Sequence, residues 1–399
     1  MSEQLKIFTS RREELAARRA LLRARARRRR RRVAALLLAV GLVLVIVGGG
    51  AYYLISNVIG GSDFDGPGQG GVIVQVAGGD STTEIGKTLA DRGVVGSAKA
   101  FTRAASDADR IRSVQPGYYR MRLQMSSEAA VSLLLDPASR VGALEIKGGL
   151  QLDDTQGANN TTTPGVLSLI SKATCADLEG RSTCISAEDL RATIANTDPA
   201  ELGVPNWALD NVRKAVPGRR LEGLLVPGRY DIEPGTPAVD VLRSLLAVSA
   251  ARLEATNLVK AAEGTGHTPY EILVIASLVE KEGVADDFGK IARVIYNRLG
   301  SDQRLEMDST VNYPLDLQAI RTSTSDRGRA GPYNTYLNKG LPPTPIAAPS
   351  VRAIGAALAP EAGPWTFFVR CRADGTSCFA STLSDHQANV NAAIKAGVF

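Results

Sequence analysis

TPYEILVIASLVEKEG, Thr268 to Gly283, is the stretch on which the reading of the chain turns. Its ends carry stop and start chemistry. Thr268 is an N-cap residue, Pro269 suits the first helical turn, Glu271 three residues after Thr268 completes a capping box, and Gly283 suits a left-handed stop. Between them Ile272, Leu273, Val274, Ile275, Ala276, Leu278 and Val279 leave almost no polar face, the composition of a helix buried on all sides. A carboxylate at the end of such a helix is expected to be partly desolvated, which is how an acid stays protonated near neutral pH and serves as a general acid. Two glutamates compete for that role. Glu280 and Glu282 lie about 200° apart around a helix, so only one can face a given site; the alternative is that both simply solvate the helix end. Ser277 sits one turn before Glu280.

Working outward, the chain returns to a helix after Asp287, with Phe288, Ile291, Ala292, Ile295 and Leu299 at helical spacing and Gly300 as its stop. This helix is expected to pack on the first. The segments LEMDSTVNYPL and GPYNTYLNKGLPPTPI that follow are rich in Pro, Gly, Asn and Tyr and read as loops, where binding groups gather on a rigid scaffold. A helix from Ser350 to Leu358, a hairpin, and a helix from Ser384 complete the C-terminal part. Upstream, VIVQV (Val72 to Val76) reads as a strand, and Ser81 to Gly93 as a capped helix with Ile85 and Leu89 inward. A further helix is expected near Ala98 to Ala105.

The chain also repeats itself. QPGYYRMRLQMSSEAAVSLLL from Gln115 matches VPGRYDIEPGTPAVDVLRSLL from Val226 at an offset of 111, with Pro116, Gly117 and Tyr119 falling on Pro227, Gly228 and Tyr230. Each copy reads as a turn, a strand and a helix. Two copies are too few for a solenoid, so they mark paired α+β modules packed together or on the catalytic region. GANNTTTP, Gly157 to Pro164, is expected to be an exposed loop in the second copy.

The 399 residues, 44% hydrophobic and 22% charged, suffice for two or three domains with real cores. The net charge of +6 is unevenly placed: residues 1–32 carry Lys6 and twelve arginines against Glu3, Glu13 and Glu14, a balance of +10, and the remainder is −4. The basic excess therefore gives no ground for nucleic-acid binding. It abuts VAALLLAVGLVLVIVGGGAYYLI, Val33 to Ile55, which has no charged residue and is long enough to cross a hydrocarbon core of about 30 Å. The positive-inside rule places the N-terminus in the cytoplasm and everything after Ile55 outside. Gly60 to Gly71 is a glycine-rich spacer. Cys175 with Cys184 and Cys371 with Cys378 fit two local disulfides in an oxidising exterior; neither pair has CxxC spacing and there are only two histidines, so no metal is expected. No serine lies in a GxSxG setting.

The order ASLVEKEG, ARVIYNRL, MDSTVNY, GPYNTYLNKGLPPTPIAAPS and FASTLSDHQANV resembles the membrane-anchored endolytic murein transglycosylases, the MltG/YceG-like family. The resemblance is dense over Pro269 to Val390 and weaker over the repeats, which resemble the family's LysM-like part. It implies an α+β fold: a single transmembrane helix, then LysM-like modules packed with a mixed helix and strand catalytic domain. It also implies cleavage of nascent peptidoglycan between N-acetylmuramic acid and N-acetylglucosamine, leaving 1,6-anhydro ends, with no cofactor. The family's catalytic glutamate is the first of its EKE motif, here Glu280. The matching motif residues Asp308, Tyr313, Tyr333, Asn334, Tyr336, Lys339 and Gly340 are then candidates to line the glycan groove, or equally to fix its loops. Glu282 and His386 are candidates to support the site from behind, although a lone histidine at a helix start is more often structural. The pattern departs from the family at Glu306 and Ser309, where a Gln and a Pro usually flank the aspartate.

The expected organisation is a cytoplasmic tail over residues 1–32, a transmembrane helix over 33–55, a linker over 56–71, modules over 72–140 and 141–255, and a catalytic domain over 256–399. Peptidoglycan strands, peptidoglycan synthases and the cytoplasmic membrane are the expected partners. A membrane-tethered peptidoglycan-binding scaffold without catalysis is the alternative.

Overall fold

A computed structural model describes residues 63–398 except 107, 109, 110, 158–160, 179 and 318–321. The basic tail and the Val33–Ile55 run lie outside the described residues. Among the described residues no helix is long and apolar enough to cross a membrane.

The described chain is α+β and builds two cores. In the first, strand Pro67–Val76 pairs antiparallel with Gly117–Met125, Val74 opposite Tyr119, and Arg140–Val141 adds a short third strand. The strand begins at Pro67, five residues earlier than VIVQV suggests, so the last residues of the glycine-rich spacer belong to the sheet. Helices Thr82–Asp91, Ala98–Ser106 and Ser127–Leu135 cover it. Ser81 and Glu84 form the capping box of the first, while Ile85 and Leu89 enter a core with Val74, Phe101, Met121 and Leu134.

The second core is larger. Strand Ala143–Ile146 pairs antiparallel with Gly228–Asp231, Leu144 opposite Tyr230. Residues of this module, among them Leu144, Ile170, Leu190, Leu224 and Leu242, form one contiguous cluster with Ile272, Ile275, Val279, Ile295 and Ile354. The second copy of the repeat is thus packed on the downstream helices, and the 255/256 boundary runs through a shared interior. Arg140 ties the two cores: its guanidinium donates to Pro116 O at 2.9 Å in the first and to Asp231 Oδ1 at 3.0 Å in the second.

At the centre of the larger core lies the helix Pro269–Glu282. Thr268 and Glu271 make the reciprocal capping box, and every residue from Ile272 to Val279 is at most 2% exposed. Each such Leu or Ile contributes about 1.5–3 kcal/mol by leaving water, so the helix is held by packing on all sides. Helices Asn206–Lys214, Leu258–Ala262, Phe288–Gly300, Asp308–Asn312 and Val351–Leu358 surround it. Its stop differs from the expectation. Gly283 is extended, with φ −158°, and not left-handed; the reason for glycine is close packing, since a Cβ there would lie 2.2 Å from Ile291 Cδ1.

Both cysteine pairs form disulfides, Cys175–Cys184 and Cys371–Cys378. The second closes the hairpin Phe367–Arg370/Ser377–Ala380, whose turn uses Gly375 at φ +91°. The hairpin is tied to the helical core by Ser377 N, which donates to the buried Asp287 Oδ2 at 2.6 Å.

Candidate active site

Glu280 and Glu282, neighbours in the sequence, face different walls. The Glu280 side chain leaves the end of the buried helix half-exposed. Its Oε2 accepts hydrogen bonds from Ser350 N at 2.9 Å and Ser350 Oγ at 2.5 Å. Ser350 is the N-cap of helix Val351–Leu358, its hydroxyl also accepting from Ala353 N, so the carboxylate docks at a helix N-terminus. On the other side stands Gly148. A Cβ there would lie 2.2 Å from Glu280 Oε1, so only glycine leaves this oxygen its space. Among the described residues no hydrogen bond from the protein reaches Oε1, which leaves one anchored and one free oxygen.

The wall that carries Gly148 is the segment Lys147–Asp153. Gly149 N donates to Ala348 O at 2.9 Å and Ala348 N to Leu150 O at 2.7 Å, which lays this segment beside the chain leading to Ser350. Lys281 Nζ donates to Gly149 O at 3.3 Å. Burial lowers the Lys281 ammonium from its ordinary pKa, and the surrounding carboxylates of Glu282, Glu222 and Glu280 oppose that shift. One cation therefore stands among three carboxyl groups.

Glu282 turns to Ser309, whose Oγ donates to its Oε1 at 2.5 Å. Burial raises its pKa and nearby Asp308 adds to this, with the Ser309 bond opposing both. Ser309, where the sequence departs from the family pattern, thus fixes Glu282. Asp308 is the hub of the next loop: Thr322 Oγ1 donates to it at 2.5 Å, Tyr336 OH at 2.7 Å, and Arg327 pairs with it at 3.1 Å. Burial works against its ionisation, but the bonds from Thr322, Tyr336 and Arg327 outweigh it and hold its pKa below the ordinary value.

The other motif residues divide by burial. Tyr313, Tyr333 and Asn334 are 1%, 9% and 4% exposed. The Tyr313 and Tyr333 rings pack 4.8 Å apart, Tyr333 OH shares a 2.8 Å bond with Thr344 Oγ1, and the Asn334 amide donates to Arg327 O and Arg329 O. These three hold loops together from within; their spacing in the motifs reflects packing as much as any surface for a sugar. Tyr336 is half-buried over Asp308, Lys339 is exposed and pairs with Asp302, and Gly340 takes φ +85° with open space around it. His386 lies elsewhere, stacked on Phe367 at 5.2 Å, its pKa lowered by burial and by Arg298. It bonds neither Glu280 nor Glu282, because the C-terminal helix packs on the hairpin.

Three participants had no sequence signal strong enough to single them out: Gly148, Lys281 and Glu222. Glu222 lies in LEGLLVPGRY, just ahead of the second repeat, and is 2% exposed. Burial pushes its carboxyl up to about 8, against bonds from Leu152 N and Tyr313 OH and the charge of Arg219. A carboxyl in an apolar run was the available hint. Two hollows of about 520 and 490 Å³ border the same glycine segment, one at Lys147 and Leu150, the other at Leu152 to Asp154; neither is lined by Glu280.

A buried helix that ends in a carboxylate with one anchored and one free oxygen, facing a loop that keeps side chains away, defines a site fit for proton transfer. The chain belongs to the YceG-like family, whose sequence profile matches residues 74–392. It is 28% identical over 332 residues to the endolytic murein transglycosylase of Streptococcus pneumoniae strain D39, and 27% identical over 322 residues to that of Bacillus subtilis. These matches cover 80% and 79% of this chain. The chain spans 58% of the length of the pneumococcal relative and 82% of the bacillary one. A crystal structure of a YceG-like protein from Listeria monocytogenes shares the fold, with a TM-score of 0.53 at 24% identity, covering 80% of this chain and 98% of that one.

Proposed function

We propose that this protein is an endolytic peptidoglycan lytic transglycosylase with Glu280 as its sole acid and base. The observation that carries this reading is the two-sided holding of Glu280, anchored through Oε2 by Ser350 and open through Oε1 beside Gly148. Protonated, Glu280 donates to the glycosidic oxygen as the bond between N-acetylmuramic acid and N-acetylglucosamine breaks. As carboxylate it then takes the proton of the muramyl 6-hydroxyl, whose oxygen bonds C1 and closes the 1,6-anhydro ring. The glutamate ends as it began, no water is consumed, and no second carboxylate acts as nucleophile, unlike in ordinary glycosidases. Glu282, turned to Ser309, is then free to serve structure.

In this reading Val33–Ile55 anchors the chain in the cytoplasmic membrane, residues 1–32 stay inside, and the LysM-like modules (72–140, 141–255) and catalytic part (256–399) stand outside, working on strands as synthases extrude them. Asp308, Tyr336, Lys339 and Gly340 supply the surface along which a sugar strand runs. The test is product analysis on purified glycan strands. The expected product is lighter than the hydrolytic one by a single water, and Glu280→Gln abolishes it while Glu282→Gln keeps the chemistry. Strand binding by wild type without any product would replace the enzyme with the scaffold reading. A reporter fused after Phe399 tests the topology, and cytoplasmic activity of that reporter refutes it.

A further inference from the structure

Glu222, the least exposed carboxyl residue among the described residues, takes no part in the reaction above. Glu222 receives Leu152 N at 3.2 and 3.1 Å on its two oxygens and Tyr313 OH at 3.2 Å. The charged and titratable groups that face it are Arg219, Asp153 and Tyr313, and its field reaches Tyr270, Tyr333 and Lys281. The Tyr313 contact survives either protonation state, since the phenol donates to a carboxylate or accepts from the acid O–H.

These bonds have a mechanical result. The chain between strand Ala143–Ile146 and Leu152 carries Gly148 beside the free oxygen of Glu280 and Gly149 O beneath Lys281. It is pinned to Ala348 at Gly149 and Leu150, and to Glu222 at Leu152. The repeat supplies a comparison. Carried four residues upstream of the matched copies, the same offset sets Ile111, 7% exposed, against Glu222: an apolar side chain is buried ahead of the first copy and an acid ahead of the second. A buried carboxyl is costly unless bonded, and here its bonds run to the wall of the site.

We propose that Glu222 is a positioning residue: it clamps the Gly148 segment to Tyr313 and sets the wall against which Glu280 is held. The inference rests on the transglycosylase reading. Ionisation leaves a charge buried in the larger core, a cost that the bonds from Leu152 N and Tyr313 OH only partly offset, and the packing behind that wall is strained, so turnover falls on the alkaline side.

The experiment measures kcat and KM for anhydromuramyl product release, against pH, in wild type, Glu222→Ala, Glu222→Gln and Tyr313→Phe. Because small misplacements of a reacting group cost up to about 100-fold, Glu222→Ala should lose at least about tenfold in kcat near pH 6, with KM changed by less than about threefold. Glu222→Gln, which keeps an acceptor for Leu152 N, should rescue kcat to within about threefold and lack the alkaline fall that wild type shows around pH 8. Tyr313→Phe, which removes a donor to the ionised carboxyl, should move that fall to higher pH. A folded Glu222→Ala variant with wild-type kcat overturns the inference, as does a Glu222→Gln variant whose alkaline fall coincides with that of wild type. Wild type that releases no anhydromuramyl product overturns the underlying reading, and this inference with it.

Discussion

The two copies of the repeat use the same local chemistry for different ends. Gly117 and Gly228 take φ +143° and +147°, and two residues on, Tyr119 and Tyr230 return a hydroxyl to the carbonyl four residues back, at 2.6 and 2.5 Å. Each turn is thus closed by its own tyrosine. Beyond the turn the copies part. The first buries Ile111, Leu134 and Met121 in a core of its own, and the second shares its interior with the helix that presents Glu280. A self-sufficient module has nothing to gain from a buried acid. The copy lacking a separate core carries Glu222 and lends its Gly148 segment to the site. The turn motif is what the two copies share, and the core that each enters is where they differ.

The sharpest way to separate the copies is pH. Folded Glu222 titrates at about 8 against an ordinary 4.5, so the native state binds this proton more tightly than the unfolded chain. Its contribution to stability is full below 4.5 and is lost as pH rises to about 8. At about 1.4 kcal/mol per unit the loss is on the order of 3–5 kcal/mol, confined to the larger core. Urea unfolding between about pH 5 and pH 9 should show it in wild type and lack most of it in Glu222→Gln; equal slopes in both would remove the distinction. Next come the paired core truncations. Leu134→Ala and Leu245→Ala each create a cavity at a nearly sealed position, 3% and 2% exposed, and should cost about 2–5 kcal/mol. Only the second should also depress activity. If both shift one common unfolding transition equally, the two cores are not separate cooperative units.

Gly148→Ala is a gentler probe. The added methyl meets the end of a flexible side chain, Glu280, and the position is exposed, so stability should stay within about 0.5 kcal/mol. Turnover should nonetheless fall about 10–100-fold as the carboxylate is displaced. Unchanged kcat would show that Oε1 has no need of that space. The smallest effects belong to Tyr119→Phe and Tyr230→Phe, about 1 kcal/mol each by thermal melting. The second should be the larger, because Tyr230 OH also meets Ser249 Oγ at 2.9 Å.

What the sequence disclosed was local. The capping box at Thr268 and Glu271, the apolar run behind Glu280, the inward Ile85 and Leu89, the repeat and both cysteine pairs are patterns within about ten residues, or matches of such patterns. What it hid was set by distant partners. Gly283 reads as a stop because glycine favours positive φ, yet it answers to Ile291 Cδ1. Tyr313 and Asn334 read equally as groove-lining or loop-fixing residues, and only their partners decide: they meet Glu222 and the Arg327–Arg329 backbone inside the fold. Glu222 lies in an ordinary apolar run; its bond to Leu152 spans 70 positions, a distance no periodicity reaches.

Ser350 holds two offices at once. It starts the helix Val351–Leu358 and anchors Glu280. A helix frays first at its ends, so loosening of that first turn releases the carboxylate before the core opens. Heat inactivation should then precede bulk melting, and a substitution that strengthens the turn while keeping Ser350 should raise the working temperature of the site more than the melting temperature of the protein. The durability of the site is in that sense governed by one helix end, and not by the large core behind it.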